Sequence, residues 1–254
     1  MVLAADIGNS NVVIGCFEGD QILFTERLST NRNSTAMEYV VLIKTVLELN
    51  GFAGKTFEGG IISSVVPVVT NAMKDALARL IGKPPMIIGP GLKTGLKIRI
   101  DNAAQLGSDR VTDAVGAVEQ YPCPLIIIDM GTATTISVVD KDQTFIGGLI
   151  MPGLRISAEA LTRKGSQLPQ VSLDPPKKCI GRNTVEGMRS GIILGAASTL
   201  DGLIDRIEEE LGYPCTVVAT GGNSRVVAPH CSHEILWDDQ LLLKGLMYIY
   251  YKNI

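Results

Sequence analysis

Three aspartates stand where a carboxylate can do chemistry. Asp6 and Asp129 each close a short apolar run and lead into a glycine turn: Asp6-Ile7-Gly8-Asn9-Ser10-Asn11 and Asp129-Met130-Gly131-Thr132-Ala133-Thr134. Glycine after a strand lets a ligand approach the backbone closely. The turn's hydroxyls and N–H groups can hold phosphate oxygens, and its carboxylate can hold a cation. One such turn is also ordinary hairpin punctuation. Two of them at an offset of 123 residues, about half of the 254-residue chain, form an internal repeat. Facing copies would hold a polyphosphate from both sides. The third acid, Asp109, lies in Gly107-Ser108-Asp109-Arg110 at an expected helix start. On one reading Ser108 is only a cap there, with Asp109 complementing the helix dipole. Alternatively Asp109 accepts a proton from an alcohol, while Arg110 and the helix start draw in an anion.

Two glycine clusters extend the pattern. Ala219-Thr220-Gly221-Gly222 follows a short apolar run, and its bare backbone can carry a flat base or a ribose; it is equally a plain strand-to-helix turn. Gly147-Gly148-Leu149-Ile150-Met151-Pro152-Gly153 reads as a rigid irregular loop, either lining a site or only connecting elements. A P-loop is excluded: Gly54-Lys55-Thr56 ends like one, but Leu49 occupies the position of its first glycine. The five cysteines are widely spaced without a Cys-x-x-Cys pair, so buried reduced thiols are expected rather than zinc or disulfides. His230 and His233 fall beside Pro229 and read as a surface loop.

These groups need strands and helices to position them. Val2–Ile7 and Val12–Phe17 read as a hairpin, Ser34–Asn50 as a helix with Met37, Val40, Ile43 and Leu47 inward, and Gly60–Val66 as a buried strand. Pro67 opens a helix that Gly82 stops. Gly107–Gln120 is helical, and Tyr121-Pro122-Cys123-Pro124 ends it, dividing the chain into domains 1–121 and 122–254. Leu125–Ile128 and Ile136–Val139 repeat the hairpin. Asn183 caps a long helix with Glu186 in capping-box register, and Val217–Ala219 is a last strand. The net charge of −3 argues against a nucleic-acid-coating surface. No apolar run reaches the ~18 residues of a membrane span, and no basic leader precedes an apolar stretch, so neither a membrane span nor a secretory signal is expected.

The ordered set Asp6-Ile7-Gly8-Asn9-Ser10, Gly107-Ser108-Asp109-Arg110, Asp129-Met130-Gly131-Thr132-Ala133, Gly147-Gly148 with Met151-Pro152-Gly153, Gly181-Arg182-Asn183-Thr184 and Ala219-Thr220-Gly221-Gly222 resembles type III pantothenate kinase over essentially the whole chain. The resemblance implies an α/β fold: two tandem ribonuclease-H-like domains of the actin-like ATPase kind with a cleft between them. It also implies a cytoplasmic homodimer that phosphorylates pantothenate to 4′-phosphopantothenate with ATP, the first step of coenzyme A synthesis. Mg²⁺ would accompany the ATP, and a monovalent cation, K⁺ or NH₄⁺, would be required. On this resemblance Asp6, Ile7, Gly8, Asn9, Ser10, Asn11, Val12 and Val13 form the phosphate loop, with Asp6 suited to the magnesium shell. Thr132 and the Gly221–Gly222 pair complete the ATP site, and Asp129 holds the monovalent cation. Gly107, Ser108, Asp109 and Arg110 bind pantothenate, Asp109 as proton acceptor, with Thr184 adding a contact. No nucleic-acid or membrane partner is implied.

One departure stands out. The family's Tyr-x-Asn-Pro is here Ile100-Asp101-Asn102-Ala103, so Asn102 is kept while the tyrosine hydroxyl is absent. Two other readings remain beside the kinase. One is a non-catalytic accessory relative, against which the joint presence of Asp6, Asp109, Arg110 and Asp129 argues. The other is a sugar or acetate kinase of the same superfold, for whose insertions the chain is short.

Overall fold

The computed structural model describes residues 1–254. In chain order the elements are β1 (Val2–Ile7), β2 (Asn11–Glu18), β3 (Gln21–Ser29), α1 (Ala36–Leu49), β4 (Gly59–Ser64), α2 (Pro67–Ile81), β5 (Met86–Ile87), β6 (Lys97–Ile98) and α3 (Ser108–Gln120). They continue with β7 (Leu125–Met130), β8 (Ala133–Val139), β9 (Thr144–Pro152), α4 (Leu154–Lys164), α5 (Thr184–Leu211), β10 (Thr216–Thr220), α6 (Ser224–Val227), β11 (Leu236–Trp237) and α7 (Leu241–Tyr251). The chain forms two compact units: Met1–Leu96 with Asp101–Glu119 and Gln240–Ile254, and Lys97–Ile100 with Gln120–Asp239. Beside a division at 1–121 and 122–254, two segments thus lie in the other unit. Lys97 and Ile98 add β6 to the edge strand β9, and α7 returns to β1 and β4.

The sheets of the two units have one topology. The first runs β3-β2-β1-β4-β5, with β1–β2 and β2–β3 antiparallel and β4 and β5 parallel to β1. The second runs β9-β8-β7-β10-β11 in the same pairing sense, with β6 outside β9. This is the ribonuclease-H-like sheet twice over, as the 123-residue repeat implies.

Strand alternation fixes where the acids go, because successive side chains point to opposite faces. In β1, Leu3, Ala5 and Ile7 pack with α1 and α2 (Tyr39, Ile43, Met73, Leu77), whereas Val2 and Ala4 pack with Val115 of α3 and Leu243, Leu246 and Tyr250 of α7. Asp6 shares the parity of Val2 and Ala4 and so lies on the α3/α7 face. In β7, Ile126, Ile128 and Met130 pack under α4 and α5, so Asp129 lies on the opposite face. In both units the acid turns away from the first pair of helices.

Several local expectations change. Met37 is 54% exposed, and the buried stripe of α1 runs through Tyr39, Val40, Ile43, Val46 and Leu47. A capping box of Thr35 and Glu38 starts this helix, so Met37 falls on its outer side. The segment around Gly147-Gly148 is not an irregular loop. It belongs to β9, paired antiparallel with β8, and a register shift between Val138 and Val139 accommodates the two glycines at φ +146° and +155°. Beyond the expected elements the chain forms β3, β5, β6, α4, α6, β11 and α7. Of the five cysteines expected to be buried, only Cys16 is; Cys123, Cys215 and Cys231 are half-buried and Cys179 is exposed, and burial pushes the thiols of Cys16, Cys215 and Cys231 up to about 11, which keeps them protonated. His233 faces Asp205 at 2.9 Å, and His230 ends a short 3₁₀ turn.

Candidate active site

The first unit gathers two of the expected motifs. The β1–β2 turn is closed by Gly8 N–H donating to Asn11 O at 2.9 Å. Thr30, just past β3, holds the turn from the side: its hydroxyl donates to Gly8 O at 2.7 Å and its N–H to Ser10 O at 3.0 Å. Arg32 Nη2 donates to Asn9 Oδ1 at 3.1 Å. Asn9, Ser10 and Asn11 are solvent-exposed, so the rim of the turn is open to a ligand. Val12 is fully buried in the core and Val13 is half-buried, so their side chains anchor the turn and only their backbone could meet a ligand.

Asp6 and the α3 start share one face. Asp6 is in register with Ser63 on the adjacent parallel strand β4, and register neighbours point the same way. Ser63 Oγ lies 3.2 Å from Ser108 Oγ. Ser108 Oγ also donates to Ser64 O at 2.9 Å and accepts from Ser64 N–H at 3.0 Å. Ser108 therefore does not act as the helix cap: it is the first residue of α3, and its hydroxyl ties the helix to β4. Asp109 Oδ1 accepts the N–H of Arg110 at 2.8 Å. Gly107 makes room for this carboxylate, since a Cβ there would lie 2.4 Å from Asp109 Oδ1. Burial holds the Arg110 guanidinium below its ordinary value, and neighbouring Asp109 opposes that shift. Asn102 caps the short 3₁₀ turn Ala103–Gln105 ahead of this motif, its Oδ1 accepting from Ala104 N–H at 3.2 Å.

The second unit gathers three segments that are far apart in sequence. Asp129 is in register with Thr220 of β10, as Asp6 is with Ser63. Gly221, at φ +84°, lets the next turn lie against Asp129: a Cβ would sit 2.5 Å from Asp129 Oδ1 and 2.8 Å from Met130 N. Asn223 fastens the two turns, its N–H donating to Met130 O and its Nδ2 to Gly131 O, both at 3.3 Å. Gly153 closes the other side, where a Cβ would lie 2.2 Å from Thr132 O. Gly222 directly follows Gly221, and Ser224 Oγ donates back to Gly221 O at 2.6 Å. Thr184 is exposed at the first position of α5, behind the cap in which Asn183 Oδ1 accepts Glu186 N–H at 2.9 Å.

Thr30 and Asn223 carry no signal in the sequence: Thr30 follows an edge strand of mostly exposed residues, and Asn223 adjoins the glycine pair without an acid or hydroxyl of its own. A cavity of about 790 Å³ between α4 and α5 is lined by apolar side chains such as Met151, Leu161 and Ile192, and contains none of the three aspartates.

A sheet built twice, each copy carrying an acid near the end of its first strand, gives the fold of two ribonuclease-H-like domains of the actin-like ATPase class. The component A of (R)-2-hydroxyglutaryl-CoA dehydratase from Acidaminococcus fermentans matches it with a TM-score of 0.58 at 15% identity, over 99% of this chain and 97% of that one. The family model for type III pantothenate kinase matches residues 2–206. A type III pantothenate kinase from Brevibacillus brevis is 42% identical over 253 residues, covering 100% of this chain and 99% of the relative. Another, from an Exiguobacterium species, is 39% identical at the same coverage. The chain belongs to the type III pantothenate kinase family.

Proposed function

We propose that this protein phosphorylates the primary hydroxyl of pantothenate with ATP, giving 4′-phosphopantothenate and ADP at the start of coenzyme A synthesis. The observation that carries this reading, beyond family membership, is the placement of Asp109 and Arg110 at a helix start on the same sheet face as Asp6.

Phosphoryl transfer needs an in-line hydroxyl and neutralised phosphate charge, with little covalent help from the protein. Asp109 orients the hydroxyl and receives its proton as the new P–O bond forms. Arg110, Gly107 and the first N–H groups of α3 favour the anionic pantothenate; Ser108 fixes the helix to β4, and Thr184 adds a substrate contact. In the first unit the backbone of residues 6–13 offers donors to phosphate oxygens; in the second, Thr132 and the Gly221–Gly222 backbone offer contacts to the nucleotide. Asp6 and Asp129, with their register partners Ser63 and Thr220, carry oxygen donors, which suit hard cations. Asp6 would hold Mg²⁺ directly or through water, and Asp129 would hold K⁺ or NH₄⁺. Bound there, such cations offset the charge of the triphosphate.

A homodimer is part of the same proposal, supported by exposed apolar side chains of the second unit: Ile150, Ile156, Leu161 and Ile180. No helix is long and apolar enough to cross a membrane. A cytoplasmic location without nucleic-acid or membrane partners accords with the charge balance.

The test is ADP release in the presence of ATP, Mg²⁺ and K⁺, with and without pantothenate. ADP formation that depends on pantothenate is expected; release at the same rate without it would reject the kinase in favour of a simple ATPase, and no release would favour the accessory relative.

A further inference from the structure

Arg225 is held on two sides. Its guanidinium carbon lies 4.0 Å from the centroid of the Trp237 ring, and its Nη2 lies 3.3 Å from Asp239 Oδ2. The side chain is nonetheless 64% exposed, and Trp237, the chain's single tryptophan, is 40% exposed. A surface ion pair alone stabilises little, and a free arginine samples many rotamers. Here the rotamers are restricted. The indole covers one face of a planar cation, Asp239 fixes its edge, and the exposure leaves room for a second planar group.

The stack sits at the end of the second sheet where the glycine turn lies. Trp237 is in register with Ala219, two residues before Gly221, and Asp238 N–H extends the pairing by donating to Ala219 O at 2.9 Å. Arg225 lies in α6, which begins directly after Gly221-Gly222-Asn223 and is tied to Gly221 through Ser224.

We infer that Arg225, presented flat by Trp237 and Asp239, is the surface on which the base of the phosphoryl donor stacks. The inference rests on reading the chain as an ATP-dependent kinase, and it concerns the base rather than the phosphates. Guanidinium planes stack well on nucleobases, which an ammonium group does not do. Asp239 offsets the arginine charge, so the site favours a flat π-system over a phosphate group. Trp237 and Asp239 act as positioning residues.

The single tryptophan is a built-in probe. Titration with MgADP is expected to change Trp237 emission saturably, and magnesium tripolyphosphate, which lacks a base, is expected to leave it unchanged. Arg225→Ala should raise the KM for ATP about tenfold while kcat stays within about twofold. Arg225→Lys keeps the charge and should show the same rise in KM; Trp237→Phe keeps an aromatic face under Arg225 and should leave KM near native. A native KM in Arg225→Ala, with no response of emission to ADP, overturns the inference. So does a parallel loss of kcat and melting temperature at unchanged KM, which would reduce the stack to a fastener of β11. An Arg225-dependent response to ADP in a protein that does not phosphorylate pantothenate would support the base site and reject the kinase reading, so the two failures are distinguishable.

Discussion

The first and second units bend their leading hairpins around the same acid and brace those bends differently. At Asp6 the brace comes from the same sheet: Thr30, beyond the third strand, bonds the turn at 2.7 Å and 3.0 Å. At Asp129 the brace comes from chain some ninety residues on, where Gly221 and Asn223 press against the turn. The register partner of the acid differs as well. Ser63 leads to Ser108 and the Asp109–Arg110 helix start, whereas Thr220 leads into the glycine turn. Duplication thus supplied two equivalent acid-bearing bends. Divergence set a second acid and a cation beside one, and bare backbone beside the other. On the proposed function, the first unit carries the acceptor chemistry and the second the nucleoside.

The largest expected effect is on the first unit's extra acid. Asp109→Asn should leave the far-ultraviolet circular dichroism unchanged and lower kcat roughly 10²-fold or more, as for loss of a positioned base. Near-native turnover would remove the distinction between the units. Next come the braces. Gly221→Ala forces a side chain into a left-handed residue against Met130 backbone and should cost about 2–4 kcal/mol. In a chain of this size that lowers the melting temperature by roughly 4–16 °C. Gly8→Ala meets only Asn11 O, at 3.2 Å, and should cost about 1 kcal/mol or less. Calorimetry of the pair checks the contrast; equal losses would mean that the bends are braced alike.

Smaller still is Thr30→Val, which removes one side-chain hydrogen bond from the first bend and should cost about 1 kcal/mol. It should also raise the KM for ATP, because the phosphate turn loosens; chemical denaturation together with ATP saturation curves measures both. The finest comparison is ionic. Activity should be higher in K⁺ than in Na⁺, and Asp129→Asn should erase the difference while Asp6→Asn retains it in any residual activity. Equal rates of the native enzyme in the two salts would remove the cation from Asp129.

The parts of this arrangement legible in the sequence share one property: they repeat or they cap. The 123-residue repeat announced two sheets of one topology, and the apolar runs around Asp6 and Asp129 placed both acids at strand ends. Asn183 and Pro67 marked their helices through local chemistry that needs no tertiary partner. The parts that were not legible depend on contacts. β3 alternates poorly because it is an edge strand with mostly exposed residues, although the two-residue Gly19–Asp20 connection to β2 was a readable hairpin signal. The Gly147–Gly148 segment looked irregular because two glycines seldom sit inside a strand, and pairing with β8 overrode that preference. Ser108 looked like a cap, and only the proximity of β4 shows where its hydroxyl is used. Asn223 gains its meaning from Gly131, ninety-two residues away.

The most direct measurement is the mass of the product when pantothenate, a hexose and acetate are offered together with ATP, Mg²⁺ and K⁺. A single new species, pantothenate heavier by one phosphoryl group, is expected, and it should vanish with Asp109→Asn. A phosphorylated sugar or acetyl phosphate in its place, or no phosphorylated acceptor at all, would contradict the assignment.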